Sequence, residues 1–338
     1  NGFAPIANEF YNDDIHFAFE CRKGLFPRIL LTAADRMSVG IKAENVADFF
    51  AAMQIPGIER IEGEPLSRAR WAKVFGGDRA ALWVCARHGY DQFGLTDDLP
   101  EDSIAAQHFL ERFRARPRSY DNPAEGFAEL GRLVEAAIDE IGRDWACSLF
   151  FQAEREYWMG RNTAARVQFA RQQRFGLGWA NHDHHTYRNR SEHYTKVIEV
   201  FEKLGFHCRE RFYAGGEAGW GAQVLEQPTT GIVIFADVDM TADEVKGDFA
   251  HDGFGPKDDL GTIGLWCHLH GESLLDAGMH HLECQFDHAA LVDQLESEAG
   301  IKTMDPFTDF PYLRQAFTEG ERWIVREDRL ATALEKGF

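Results

Sequence analysis

Asn181-His182-Asp183-His184-His185-Thr186-Tyr187-Arg188 is the stretch from which the rest of the chain is read. Three histidines so close together are hard to accommodate as packing, because a buried imidazole needs a partner for each of two ring nitrogens. A metal ion is the simplest partner. A partial echo follows at Met279-His280-His281-Leu282-Glu283-Cys284. In both places the histidine strand leads to a good helix N-cap, Ser191 in the first and Asp287 in the second. Each cap opens an apolar stripe at helical spacing: Tyr194, Val197, Ile198, Phe201 and Leu204, then Leu291, Val292, Leu295 and Ala299. Gly205 and Gly300 end the two stripes, as glycine commonly does after a helix. The two segments read as one unit used twice: a strand carrying histidine, a capped helix, a glycine exit.

Working outward, Ser38-Val39-Gly40-Ile41-Lys42 alternates as a strand, and Val46, Phe49, Phe50 and Met53 form a helical stripe that stops near Pro56-Gly57. Strands follow at 58–61, 72–75 and 80–85, with Gly76-Gly77-Asp78 as a turn. This is a third βαβββ instance, with serine where the other two carry histidine. Before it, 15–19 and 29–31 read as strands around the basic turn Arg22-Lys23-Gly24. The His185 unit continues with strands at 206–213, 219–225 and 231–236; 241–261 reads as a polar loop or lid. The segment 260–269 reads as a strand that sets His268 and His270 on one face by its period of two. Further strands are expected near 301, at 313–317 and at 322–327, before a short terminal helix.

Between the sheet segments, 100–175 reads as helical. One helix covers 102–114, and Asp121-Asn122-Pro123 opens a second with the stripe Phe127, Leu130, Val134, Ile138 and Ile141. A third runs from 145 to 175 with a bend at Gly160. Arg161, Arg166, Arg171 and Arg174 could grip an anion, but spacings near five residues spread charge around a helix and favour a solvated face. The expectation is an α+β protein of repeated βαβββ modules with curled mixed sheets: a module over 1–98 in which the histidine is lost, a helical insertion over 99–176, and metal-binding modules over 177–338.

Composition narrows the function. With 55 acidic against 36 basic residues the formal charge is −19, which opposes broad contact with nucleic acid or an anionic membrane. The six cysteines are scattered without a CxxC pair, as expected of reduced thiols in a cytoplasmic protein. No run approaches the roughly 20 apolar residues that cross a bilayer, and Asn1-Gly2-Phe3-Ala4-Pro5 lacks the pattern of a signal peptide. GxSxG, Walker and HExxH motifs are absent from the sequence, and so are the spacings of a dinucleotide fingerprint or an EF-hand.

A βαβββ unit with a histidine early in its first strand resembles the vicinal oxygen chelate superfamily of glyoxalases, extradiol dioxygenases and hydroxyphenylpyruvate dioxygenase. The matching residues are His185-Thr186-Tyr187 with Leu204-Gly205-Phe206, His281-Leu282-Glu283 with Gly300, and, more weakly, Ser38-Val39-Gly40-Ile41 with Pro56-Gly57. The resemblance implies a divalent metal held by one histidine from each first strand and a carboxylate from a late strand: His185, His281 and Glu327, with Glu226, Glu272 and Asp237 as competing carboxylates. If the strand face is reversed, His184 or His280 replaces its neighbour, because a one-residue slip turns every side chain over. His184, Tyr187, Arg188 and His270 are then candidates to hold or activate substrate. Two imidazoles and one carboxylate leave positions open on one side of an octahedral metal, which favours Fe(II) and dioxygenase chemistry on a 2-oxo acid or catechol-like substrate. A glyoxalase-like lyase or isomerase with Zn, Ni or Mn is the rival, and a non-catalytic small-molecule binder is the second. The expected partner is a small-molecule substrate, and a homodimer is left open.

Overall fold

A computed structural model describes residues 3–6, 15–21, 28–32, 37–58, 60–91, 96–180, 183–255, 257, 259–279, 281–284, 288–303 and 325–338. The chain is α+β and divides into two compact units, Asn1–Phe109 with Val167–His182, and Leu110–Arg166 with Asp183–Phe338. The division falls inside two helices, so the helical block does not form a unit of its own. Among the described residues no helix is long and apolar enough to cross a membrane.

The first unit holds a seven-stranded sheet built from β1 (Phe3–Ile6), β2 (Ile15–Cys21), β3 (Arg28–Thr32), β4 (Met37–Lys42), β5 (Ile61–Glu62), β6 (Ala69–Gly76) and β7 (Ala80–Arg87). The spatial order is β1-β2-β3-β4-β7-β6-β5, antiparallel throughout except where β4 lies parallel to β7. A parallel neighbour needs a crossover, and α1 (Val46–Ala52) supplies it. Asn45 starts α1 by accepting from the Ala47 and Asp48 amides at 2.8 and 3.2 Å. Val46, Phe49 and Phe50 then pack on Ala72, Val84 and Ala86.

The helical run comprises α2 (Pro100–Ala115), α3 (Pro123–Ile141), α4 (Arg143–Arg161) and α5 (Thr163–Gln173). Asn122 caps α3, with Pro123 in its first turn. The single helix expected over 145–175 is two, and the break is at Asn162 rather than a bend at Gly160: the Asn162 side chain accepts from the Ala165 amide at 3.2 Å and so opens α5.

The second unit's sheet is ordered β12-β8-β11-β10-β9, from β8 (Asp183–Arg188), β9 (His207–Tyr213), β10 (Trp220–Gln227), β11 (Ile232–Asp239) and β12 (His281–Cys284). Here β8 lies parallel to β11, the other pairs are antiparallel, and α6 (Tyr194–Lys203) makes the crossover after a short 3₁₀ turn at Ser191–His193. Strand, helix and three strands thus occur in the same chain order and spatial order in both sheets: β4-β7-β6-β5 and β8-β11-β10-β9. Tyr194, fully buried, ties α6 to the sheet by donating to the Ala236 carbonyl at 2.7 Å and accepting from the Gln223 amide at 3.1 Å.

Two sequence expectations are corrected. The segment 260–269 is helix α8 (Thr262–His270), not a strand, so period two does not relate His268 to His270. Its cap comes from a distance: the Asp239 carboxylate, at the end of β11, accepts from the Ile263 and Gly264 amides at 2.8 and 2.6 Å. The polar segment before it contains the 3₁₀ turn Glu244–Lys246 and α7 (Phe249–Asp252). Glu327, expected at the end of a strand, is the exposed first residue of helix α10 (Glu327–Glu335). After β12 comes α9 (His288–Ala299). The basic turn at 22–24, His182, His280, Asp287 and the strands expected at 313–317 and 322–324 lie outside the described residues.

Candidate functional site

Successive side chains of a strand face opposite sides of its sheet, and β8 shows which residues go where. His185, 2% exposed, stands edge-on to Phe151 of α4 with ring centres 5.4 Å apart. Tyr187, also buried, meets Phe201 of α6 at 5.1 Å and Phe151 at 6.3 Å. Both residues therefore face the aromatic core between strand and helices. Arg188, the next residue, turns the other way: its guanidinium lies 5.1 Å from the Trp266 ring of α8, and its Nε is 3.9 Å from Asp237 Oδ2.

The neighbouring strands extend this second face by register. In the parallel pair with β11, position 184 lies beside Val233, Thr186 beside Phe235 and Arg188 beside Asp237. In the antiparallel pair with β12, Glu283 lies opposite His184, Leu282 opposite His185, and His281 opposite Thr186. Residues directly opposite across an antiparallel pair share a face. Positions 184, 281 and 283 therefore share the face of Arg188 and Asp237, whereas the expected ligand pair of positions 185 and 281 falls on opposite faces. The side chains of His184, His281 and Glu283 lie outside the described residues.

This face carries perturbed ionisable groups. Asp237 is fully buried, and burial raises its pKa to about 7 although Arg188 pulls the other way. His270, tilted against Trp266 at 5.0 Å, is pushed down to about 4, first by burial and then by Arg188, Arg329 and Arg161. It is a neutral imidazole at ordinary pH, in a positive field. Arg329 and Arg161 are both held on Asp276, by its carboxylate at 2.5 Å and its carbonyl at 2.9 Å respectively.

The other carboxylates considered from the sequence are otherwise engaged. Glu272 accepts from Arg190 Nε at 2.5 Å and the Arg190 amide at 2.9 Å, fixing the turn after β8. Glu226 pairs with Arg209 at 3.1 Å on the sheet rim. Among the four arginines near 161–174, Arg166 serves α4 and α5 locally, donating to the Met159 carbonyl and the Thr163 hydroxyl at 2.9 Å each.

Sequence reading missed a buried ionic cluster. Glu154 Oε1, with no exposure, accepts from Arg118 Nη2 at 2.5 Å and Arg116 Nη2 at 2.7 Å. Burial works to raise the Glu154 pKa, but the two guanidiniums override it and hold the group low. Burial lowers the Arg116 pKa, and burial followed by Glu154 pushes the Tyr187 phenol far up. The Tyr187 hydroxyl thus belongs to the core and this cluster, not to a substrate face. The only sequence trace is Arg116-Pro117-Arg118, and nothing local links it to Glu154. A cavity of about 510 Å³ opens nearby between α2 and α3, lined by Arg112, Arg116, Tyr120 and Glu129 among others; none of its described lining residues lies on β8, β11 or β12.

Comparison with family models, with curated proteins and with solved structures finds no match for this chain.

Proposed function

We propose that the protein is a metal-dependent enzyme of the vicinal oxygen chelate type, acting on a small, anionic, oxygen-rich substrate on the face of β8, β11 and β12 that carries Arg188 and Asp237. The observation that carries this reading is the β8–β12 register. It sets positions 184 and 283 directly opposite each other, with 281 diagonal to 184, so two histidines and a glutamate occupy adjacent positions of one face. The two strand-helix-three-strand units with parallel outer pairing support the same family, since each would be one of its modules. The ligands of this proposal are His184, His281 and Glu283. They replace His185, which packs on Phe151, and Glu327, which opens a helix.

Two imidazoles and a carboxylate are a donor set that suits a divalent first-row metal, with Fe(II) favoured. Bound there, the metal would supply a Lewis acid with positions open to a chelating substrate. The chain's own residues then do the rest. Arg188, Arg329 and Arg161 add to the burial that lowers His270, and the positive field they make attracts the carboxylate or enolate oxygen of a 2-oxo acid or catechol-like compound. His270, neutral, can donate or accept one hydrogen bond without competing for that anion. One observation favours the second reading, a lyase or isomerase with Zn, Ni or Mn. Asp237, at about 7, is poised to take and return a proton near neutral pH, as such chemistry requires.

Metal content and oxygen uptake test the proposal. Protein purified without chelator should hold one iron, or one Zn, Ni or Mn under the second reading, in addition to any metal bound elsewhere. His184→Ala and His281→Ala should lose that metal, and His185→Ala should keep it while losing stability. Retention of full metal in both His184→Ala and His281→Ala would refute the assignment. Oxygen consumption with 2-oxo acids or catechols then separates the dioxygenase from the lyase.

A further inference from the structure

A second cluster of metal-ligand side chains lies on a different part of the same unit. Glu202 sits in the last turn of α6 and Cys208 near the start of β9, on either side of the tight turn at Gly205. That turn needs a left-handed residue: Gly205 has φ of +92°, and the Phe206 amide closes back on the Phe201 carbonyl at 3.1 Å. His251 arrives on α7, which is seated independently by Phe249 and Phe254 against Tyr194 at ring distances of 5.9 and 5.6 Å. The outcome is that one ligand atom each of Glu202, Cys208 and His251 lie within 4.8 Å of one another.

The hydrogen bonds around His251 sharpen this. Its Nδ1 is 2.9 Å from Asp248 Oδ2, and its Nε2 is 2.8 Å from Glu202 Oε1. A metal-bound histidine usually gives its other ring N–H to a carboxylate, which fixes the tautomer and turns the free nitrogen to the metal. Asp248 is placed for that role, with Nε2 turned toward Glu202. Sulfur, nitrogen and oxygen donors with one position left over match a tetrahedral zinc, whose bond lengths set donor atoms about 3.5 Å apart. The three donor atoms lie within 4.8 Å of one another, with the Glu202–His251 pair at 2.8 Å, so an ion would have to part that hydrogen bond and draw the thiol in. Glu202 and His251 are roughly half exposed, so an ion has a path in.

We propose that Cys208, His251 and Glu202 form a zinc-type metal site, oriented by Asp248, that clamps α6 and α7 to β9. It is separate from the proposed catalytic face: none of its residues lies on β8, β11 or β12. The rival occupant is a proton. With both nitrogens against carboxylates His251 is favoured as imidazolium, and its pKa is raised by Glu202 first and Asp248 second. In that case the cluster is an ion-pair clamp and binds no metal.

Cobalt(II) titration of the full chain decides between them, because a thiolate ligand gives an intense near-ultraviolet charge-transfer band that oxygen and nitrogen donors do not. The wild type should develop this band with one equivalent bound at the site, and Zn2+ should displace it. Cys208→Ser should abolish the band. Glu202→Gln should keep it with weaker binding, and Asp248→Asn, a positioning change, should keep it while affinity falls about 10–100-fold. His184→Ala should leave it unchanged, which separates this site from the catalytic one. Circular dichroism of each variant reports whether it has folded. Absence of the band in the wild type, or its persistence in Cys208→Ser, overturns the proposal.

Discussion

Asp237→Asn tests the electrostatic account of the sheet face most directly. The carboxyl is fully buried, and its pKa stands at about 7 against an ordinary value of 3.8. A folded state that holds its proton more tightly than the unfolded chain is stabilised at low pH. That contribution is complete below about 4 and is lost as pH rises through about 7. At 1.36 kcal/mol per unit, the folded protein should lose about 4 kcal/mol from this group between pH 4 and pH 8. Asparagine has nearly the same shape and no charge, so the variant should lack this part of the slope. It should match the wild type near pH 4 and exceed it by up to about 4 kcal/mol at pH 8. Urea denaturation at half-unit pH steps measures the difference between the two curves, which cancels the opposite slopes of carboxylates held low, such as Glu154 and Glu156. A pH-independent difference would refute the reasoning, because it would mean that Asp237 is already ionised across the range, held by Arg188.

Two further outcomes follow from the core. Glu154→Gln leaves Arg116 and Arg118 buried without their counter-charge, so unfolding free energy should fall by about 3–5 kcal/mol, read from urea midpoints. Tyr194→Phe keeps the packing on Phe249 but strips the Ala236 carbonyl and the Gln223 amide of their shared partner, so a loss of about 1–3 kcal/mol is expected in the same assay.

Elements whose signals are local were legible in the sequence. The stripe Tyr194, Val197, Ile198 and Phe201 gave α6, Asn122-Pro123 gave the start of α3, and the alternation of 38–42 gave β4. What failed turns either on a distant partner or on a local competitor that outweighs the helical pattern. The α8 segment, Thr262–His270, has no side-chain cap of its own and mixes aromatic and β-branched residues as a strand would; it is helical because Asp239, more than twenty positions back, caps its first turn. The long helix breaks at Asn162 because an asparagine side chain competes for the backbone there, a stronger effect than the glycine two residues earlier.

The site shows the same limit more sharply. A doublet such as His184-His185 places one imidazole position on each side of a strand, so no pattern within the strand can say which side is core. The decision is made by Phe151, contributed by a helix more than thirty residues away, which takes the space beside His185 and commits position 185 to packing. The partner strand repeats the ambiguity at His280-His281, and its resolution lies in the register: once position 282 is set opposite His185, position 281 can only fall on the face of position 184. The two choices are therefore one choice. A chain in which position 185 shared the face of Arg188 would have to turn Tyr187 off Phe201 and bring Arg188 into the aromatic core in its place, exchanging buried apolar contacts for buried charge, and positions 281 and 282 would change faces with them.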